Sequence, residues 1–174
     1  AVTRLAAEGL VDVIPQAGTF VARFSMEEIR EGAFLREALE LAAIEMVAGK
    51  ITDYQIKQLK RNLRVQQASV DDLDFQGFYD LDREMHNLIL GFTNYRRLVA
   101  MAETSWLQVN RARQLVLPNP TRIADTLAEH KAILSALQSR DPEAARQATR
   151  VHLGQLLISL ETVERERPDL FQKS

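Results

Sequence analysis

A chain of 174 residues is long enough for one hydrophobic core, and 46% hydrophobic with 26% charged residues is typical of a globular protein. The formal net charge of −2 excludes a global positive field that would attract the whole chain to nucleic acid or membrane. The absence of cysteine excludes disulfides and thiolate metal sites and is compatible with the cytoplasm. No apolar run is long enough to span a membrane, so no membrane partner is expected.

The first 24 residues predict a short helix and a β-hairpin. Residues 1–8 are predicted to end a helix that Gly9 stops. The β-forming residues at 10–14 and 19–24 flank a Pro-Gln-Ala-Gly turn, which predicts the hairpin. A lone hairpin is too small to be stable, so we expect these elements to belong to a domain whose front lies before the first residue. An N-terminal arm packed on the body is the alternative.

The rest of the sequence predicts six helices, each preceded by a residue that can cap a helix N-terminus. Their short connections favour antiparallel packing, so we predict an all-α fold, an antiparallel bundle of about six helices. The predicted helices are Met26–Ala48 after a Ser25–Glu28 capping box, Thr52 to about Ala68, Asp72 or Asp74 to Gly91, about Tyr95–Leu117 after Asn94, Pro120 to about Ser139, and Pro142 to about Arg165.

The three histidines of the chain all fall at inward-facing positions of predicted helices. Asp82 and His86 are four residues apart and share one helical face, while His130 and His152 lie on apolar stripes of two later helices. Three imidazoles and a carboxylate suit zinc or nickel first, with manganese or iron as alternatives, so we predict one divalent ion per chain. Buried histidines satisfied by local hydrogen bonds are the competing interpretation.

A small set of polar residues is predicted to face the same interior. Arg36 lies within the apolar stripe of the first predicted long helix, with Glu40 one turn further on. It is either half of an ion pair with Glu40 or a guanidinium that grips a carboxylate in bidentate fashion. Thr126 lies one turn before His130 and offers a hydroxyl. Asn110 and Arg113 are further pocket candidates, with a solvated helix face as the alternative.

These residues resemble a known family. Residues 4–22, RLAAEGLVDVIPQAGTFVA, are similar to the end of the winged helix-turn-helix of GntR-superfamily repressors, including the wing hairpin. The body resembles the FadR-type C-terminal effector domain of those proteins. The matching pieces are LREALE at 35–40, Asp82 with His86, FTNYRRL at 92–98, EHKAILSAL at 129–137, and His152.

The resemblance implies a cytoplasmic, ligand-responsive transcriptional regulator. Its body would bind a divalent metal and a small organic acid that meets Arg36, and a homodimer would bind palindromic operator DNA. The wing loop departs from the family pattern because it lacks arginine and lysine. The implied DNA-binding residues are Thr3, Arg4, Gly18 and Thr19. The implied divisions are 1–24 as the winged-helix remnant, 25–167 as the effector and dimerisation domain, and 168–174 as a tail.

Two other functions compete with the regulator. A metal-dependent helical-bundle hydrolase would use a metal-activated water, and a metal-stabilised dimerisation module would bind no effector. Glu84 and Glu129 are near the ligands in sequence but are predicted on other helix faces, so no general base is evident. Of the three candidate functions, the regulator is the one in which the hairpin remnant has a role. We therefore predict a regulator and not an enzyme.

Overall fold

The computed structural model describes residues 1–172 and begins with the small unit predicted for the N-terminus. Helix α1 (Val2–Ala7) is followed by strands β1 (Val11–Ile14) and β2 (Gly18–Val21). The strands pair antiparallel from Val11 opposite Val21 to Ile14 opposite Gly18. Gln16 at the turn and Gly18 just after it both have positive φ, which closes the connection tightly. We call this two-stranded unit the wing hairpin.

Within residues 1–172, seven α-helices form the body, and the prediction of an all-α bundle is confirmed. Five of the predicted caps are present, because their side chains each accept a backbone N–H of the first turn: Ser25, Thr52, Asp74, Asn119 and Asp141. Among residues 1–172, no helix is both long and apolar enough to cross a membrane. The helices are α2 (Met26–Ala48), α3 (Asp53–Asp71), α4 (Phe75–Gly91), α5 (Leu98–Ser105), α6 (Leu107–Val116), α7 (Pro120–Gln138) and α8 (Pro142–Glu166).

The fourth predicted helix is in fact two helices. Asn94, predicted as its cap, lies in a turn with positive φ, and α5 begins only at Leu98. The chain then breaks at Trp106, between α5 and α6. Thr104 and Ser105 donate their hydroxyls to carbonyls four residues back, a pattern that bends helices.

The segment assigned as a tail packs on the link between the wing hairpin and α2. Phe24 donates its N–H to the Leu170 carbonyl at 2.9 Å and accepts from Gln172 N–H at 2.8 Å. The rings of Phe24 and Phe171 lie 5.7 Å apart between centroids. The final two residues of the predicted tail, 173–174, lie outside the described residues.

The main core lies where α3, α4 and α7 meet α2, and its packing brings the candidate ligands together. Phe78, Met85, Ile133 and Leu137 are among its most deeply buried side chains. Because His86 and His130 lie on the same faces as these apolar residues, the packing that buries the core also carries them inward. The last helix, α8, packs against α2 and α7 and contributes His152.

Candidate metal and effector site

The four predicted ligands converge in the centre of the bundle. Asp82, His86, His130 and His152 are all buried and offer donor atoms within 4.8 Å of one another. The Nε2 atoms of His86 and His152 are 3.2 Å apart, and Asp82 Oδ1 lies 3.3 Å from His130 Nε2 and 3.9 Å from His86 Nε2. Three helices, α4, α7 and α8, therefore aim one carboxylate oxygen and three imidazole nitrogens at one point.

Each imidazole is oriented by an acceptor on its outer side. When Nδ1 donates its hydrogen outward, Nε2 carries a lone pair that points into the cluster. The competing interpretation is that these are buried histidines satisfied by local hydrogen bonds. Such bonds account only for the outer nitrogen of each ring. The Nδ1 contacts are His86 with Glu40 Oε2 at 2.5 Å, His130 with Gln66 Oε1 at 2.8 Å, and His152 with Glu129 Oε2 at 2.7 Å.

The donors fit a divalent cation. Zinc–nitrogen bonds of about 2.0–2.1 Å separate neighbouring donors by roughly 3 Å, close to the spacings found here. His86 and His152 face each other through two Nε2 lone pairs, which repel unless a cation lies between them. His130 Nε2 and Asp82 Oδ1 are buried without a hydrogen-bond partner among the described residues, whereas Asp82 Oδ2 pairs with Arg113. Buried polar atoms of this kind need a partner, and a cation would supply it.

The charge states also suit metal binding. Burial lowers the pKa of His86, and it lowers the pKa of His130 and His152 further, with neighbouring charges adding to the effect. Burial alone would raise the pKa of Glu40, but the nearby His86 and Arg36 outweigh it and hold that pKa below its ordinary value. The imidazoles are therefore neutral at pH 7, the form that binds metal, and Glu40 is ionised.

A cavity opens beside the cluster, and three arginines line it. It includes Asp82 and His152, together with Arg36, Arg113 and Arg122. The cavity itself is small, with a volume of about 30 Å³, and it opens toward the surface. Thr126 also lines it, with its hydroxyl donating to the Arg122 carbonyl at 2.8 Å, so only its oxygen lone pairs remain for a ligand. The apolar part of the wall is formed by Val116, Leu117, Leu153 and Leu156.

Arg36 pairs with Glu40 and still faces the cavity. Its Nε lies 2.7 Å from Glu40 Oε1, in a pair whose side chains are only 5% and 3% exposed, so this is no surface pair. The guanidinium carbon lies 5.1 Å from the centre of the Trp106 ring. Its Nη2 is buried without a hydrogen-bond partner in the part of the chain that the structure describes. Arg36 therefore keeps one donor group free.

Of the two pocket candidates predicted on α6, Arg113 reaches the cavity and Asn110 does not. Arg113 pairs with Asp82 Oδ2, while burial and the nearby Arg36 lower its pKa to about 9. Asn110 is not brought to the cavity, although it was grouped with Arg113 in the sequence. It lines a separate depression with Gln114, and its carbonyl accepts the Tyr79 hydroxyl at 3.2 Å. Side chains three residues apart on a helix differ in direction by about 60°, and here Asn110 and Arg113 line different depressions.

The predicted DNA-contacting residues form no part of this site. Thr3 and Arg4 are exposed on α1, and Gly18 and Thr19 are exposed on the wing hairpin. Arg4 is engaged with Glu8, its Nε lying 2.8 Å from Oε1.

Sequence reasoning missed the role of all three residues that orient the histidines, since Glu40 was considered only as a partner of Arg36. Gln66 falls on the buried stripe of α3 with Leu59 and Leu63, so a polar residue on an apolar face was an available signal. Glu129 was expected to face away, which is wrong, because it reaches His152 on α8 and is held by Arg122.

Comparisons with known proteins agree with this fold. The FCD domain matches residues 31–155. The HTH-type transcriptional repressor RspR of Escherichia coli (strain K12) is 31% identical over 170 residues, which cover 98% of this chain and 75% of RspR. The chain therefore belongs to the FCD-domain family of HTH-type transcriptional regulators. The prediction that it is not an enzyme is confirmed, and the hydrolase alternative is not supported.

Solved structures share the fold. Escherichia coli McbR/YncC has a TM-score of 0.81 at 20% identity, covering 92% of this chain and 81% of that one. A structure described as the metal-free FCD domain of TM0439 has a TM-score of 0.63 at 19% identity, covering 76% of this chain and 91% of that one.

Proposed function

We propose that this regulator binds one divalent cation through Asp82, His86, His130 and His152, and that a small organic acid binding beside it changes operator affinity. The observation that carries the proposal is the convergence of three Nε2 atoms and one carboxylate oxygen at the wall of an arginine-lined cavity. The donor set favours zinc or nickel, with manganese or iron as alternatives. When bound, the cation supplies positive charge and open coordination positions for an anion.

This chain's own residues hold the acid. Arg36 donates from its free Nη2 to a carboxylate oxygen, with its position fixed by Glu40 and the Trp106 ring. Arg113 holds Asp82 Oδ2, so that Oδ1 stays directed at the cation position. Thr126 offers an acceptor for a hydroxyl on the acid.

The acid acts on DNA binding through α6. Gln108 on this helix donates to the Glu8 carbonyl at 3.0 Å, and Arg111 donates to the Ala22 carbonyl and covers the Phe24 ring. Arg113, on the same helix, pairs with the ligand Asp82. One ten-residue helix thus contacts both the cavity and the backbone on either side of the wing hairpin.

The DNA contacts complete the proposal. A homodimer in the bacterial cytoplasm presents two winged helices to the two half-sites of an operator. Thr3, Arg4, Gly18 and Thr19 are exposed, as phosphate or base contacts require.

The test is operator affinity of the longer, winged-helix-containing protein, measured by fluorescence anisotropy at fixed salt. A panel of carboxylates is added to the zinc-loaded protein and to the protein stripped with a chelator. We expect at least one acid to change operator affinity by about 5- to 150-fold, the usual range of allosteric coupling, and only in the loaded protein. An operator affinity that no carboxylate changes would contradict the proposal.

A further inference from the structure

The charges around the cavity cancel in pairs. Each of the three arginines that line it is bound to one carboxylate, and an imidazole that binds a metal is neutral. Of the described residues, no other charged side chain lines the cavity. The pairs are Arg36 with Glu40, Arg113 with Asp82, and Arg122 with Glu129, the last through two contacts of 2.8 and 2.9 Å.

A divalent cation would therefore leave the site with a net charge of +2. Two of the pairs are almost fully buried, with Asp82 and Glu40 only 0% and 3% exposed, so water screens this charge poorly. A buried charge needs a partner of opposite sign. We propose that the effector is a dianion, specifically a small dicarboxylate. This inference rests on the proposed function and adds the charge of the acid to it.

The cavity has separate places for two negative groups. One is at the ligand cluster, where Asp82 and His152 face the cavity. The other is Arg36 Nη2, a buried donor without a partner in residues 1–172. The Arg36 side chain as a whole is only 5% exposed. Inorganic phosphate is also a dianion at neutral pH. The apolar wall, formed by Val116, Leu117 and two leucines of α8, favours a carbon chain between two charged ends and hence the dicarboxylate.

Matched pairs of acids test the charge. The zinc-loaded chain is titrated by calorimetry at pH 7.5 with malate against lactate, succinate against butyrate and malonate against acetate, and with inorganic phosphate. Each pair differs by one carboxylate. At least one dicarboxylate should bind roughly tenfold or more tightly than its partner and than phosphate, as expected for an added charge-assisted contact.

A variant tests the place of the second carboxylate. Arg36→Lys keeps the charge but lacks the planar fork that spans Glu40 and a ligand, so it should weaken dicarboxylate binding several-fold more than it weakens binding of the monocarboxylate partner. Arg30→Lys, on an exposed position of the same helix, is the control and should keep the preference.

The outcomes separate this inference from the proposed function. Equal or tighter binding of the monocarboxylates would overturn the dianion inference and leave the proposed function standing. Tightest binding of phosphate would overturn the dicarboxylate assignment. Binding of none of the carboxylates would count against the proposed function itself. If Arg36→Lys fails to fold, the paired titrations of the unaltered chain still decide the charge.

Discussion

Gln66 is the one neutral acceptor among the three that orient the histidines, so it can be replaced without changing the charge of the site. Its Oε1 accepts from His130, and its Nε2 donates to Asn62 Oδ1 at 2.6 Å. Asn62 in turn donates to the Leu81 carbonyl on α4 at 3.0 Å. This chain of amides therefore fixes the ring of a ligand on α7 from the neighbouring helices α3 and α4.

The replacement Gln66→Leu should weaken zinc affinity by about 10- to 100-fold, the usual cost of removing the group that orients a ligating histidine. Leucine is similar in size but leaves His130 Nδ1 without its acceptor. Competition with a chromophoric zinc chelator measures the affinity.

Two further variants define the scale of that measurement. Gln67→Leu is the control. Gln67 is the next residue in the chain, and its side chain hydrogen-bonds to Asp71 and Lys131 and contacts no ligand. His130→Ala removes a donor and should show the full loss of bound zinc. An unchanged zinc affinity in Gln66→Leu would mean that this amide does not orient the ligand.

At the scale of the elements, the apolar stripes and caps predicted most of the bundle, because each is a local property of one helix. Trp106 shows where this fails: the pattern runs on from α5 to α6, while the side chains of Thr104 and Ser105 bend the backbone before it. The same distinction holds in the site. The four ligands share a pattern within their own helices, whereas Glu129 reaches His152 only because α7 packs on α8. Such contacts depend on tertiary packing, which periodicity does not contain.

Helix α6 is the element that should transmit the effector signal. Gln108→Ala removes its hydrogen bond to the Glu8 carbonyl at the end of α1, so the response of operator affinity to a bound acid should fall by several-fold. Zinc affinity should stay unchanged, because Gln108 contacts no ligand. Anisotropy with operator DNA, with and without the acid, measures the response.

Gln114→Ala is the matched control for this helix. Its side chain lines the outer depression with Asn110 rather than the contacts to the DNA-binding unit. A full effector response in Gln108→Ala would place the coupling in another element, and α2, which carries Arg36 and follows the wing hairpin, would be the next to test.

For the whole molecule, burying three neutral imidazoles makes folding of the metal-free chain sensitive to acid. The pKa of each histidine is lowered in the folded state, from an unfolded value of about 6.5. Between these values the unfolded chain binds more protons than the folded chain, so the free energy of unfolding falls as the pH falls. The stability is fully present above about pH 6.5 and decreases below it.

Urea unfolding of the chelator-treated chain at pH 8, 7, 6, 5, 4 and 3 measures this dependence. We expect little change between pH 8 and 7 and a progressive loss from pH 6.5 downward. The lowered pKa of Glu40 adds a second loss, which begins only below its unfolded value of about 4.5, so the two windows are distinct. His152→Gln removes one buried imidazole and should flatten the slope between pH 6.5 and 5 while leaving the lower window in place. A free energy of unfolding that stays constant from pH 7 to 5 would mean that the imidazoles become protonated in the folded chain without cost, which is incompatible with their burial.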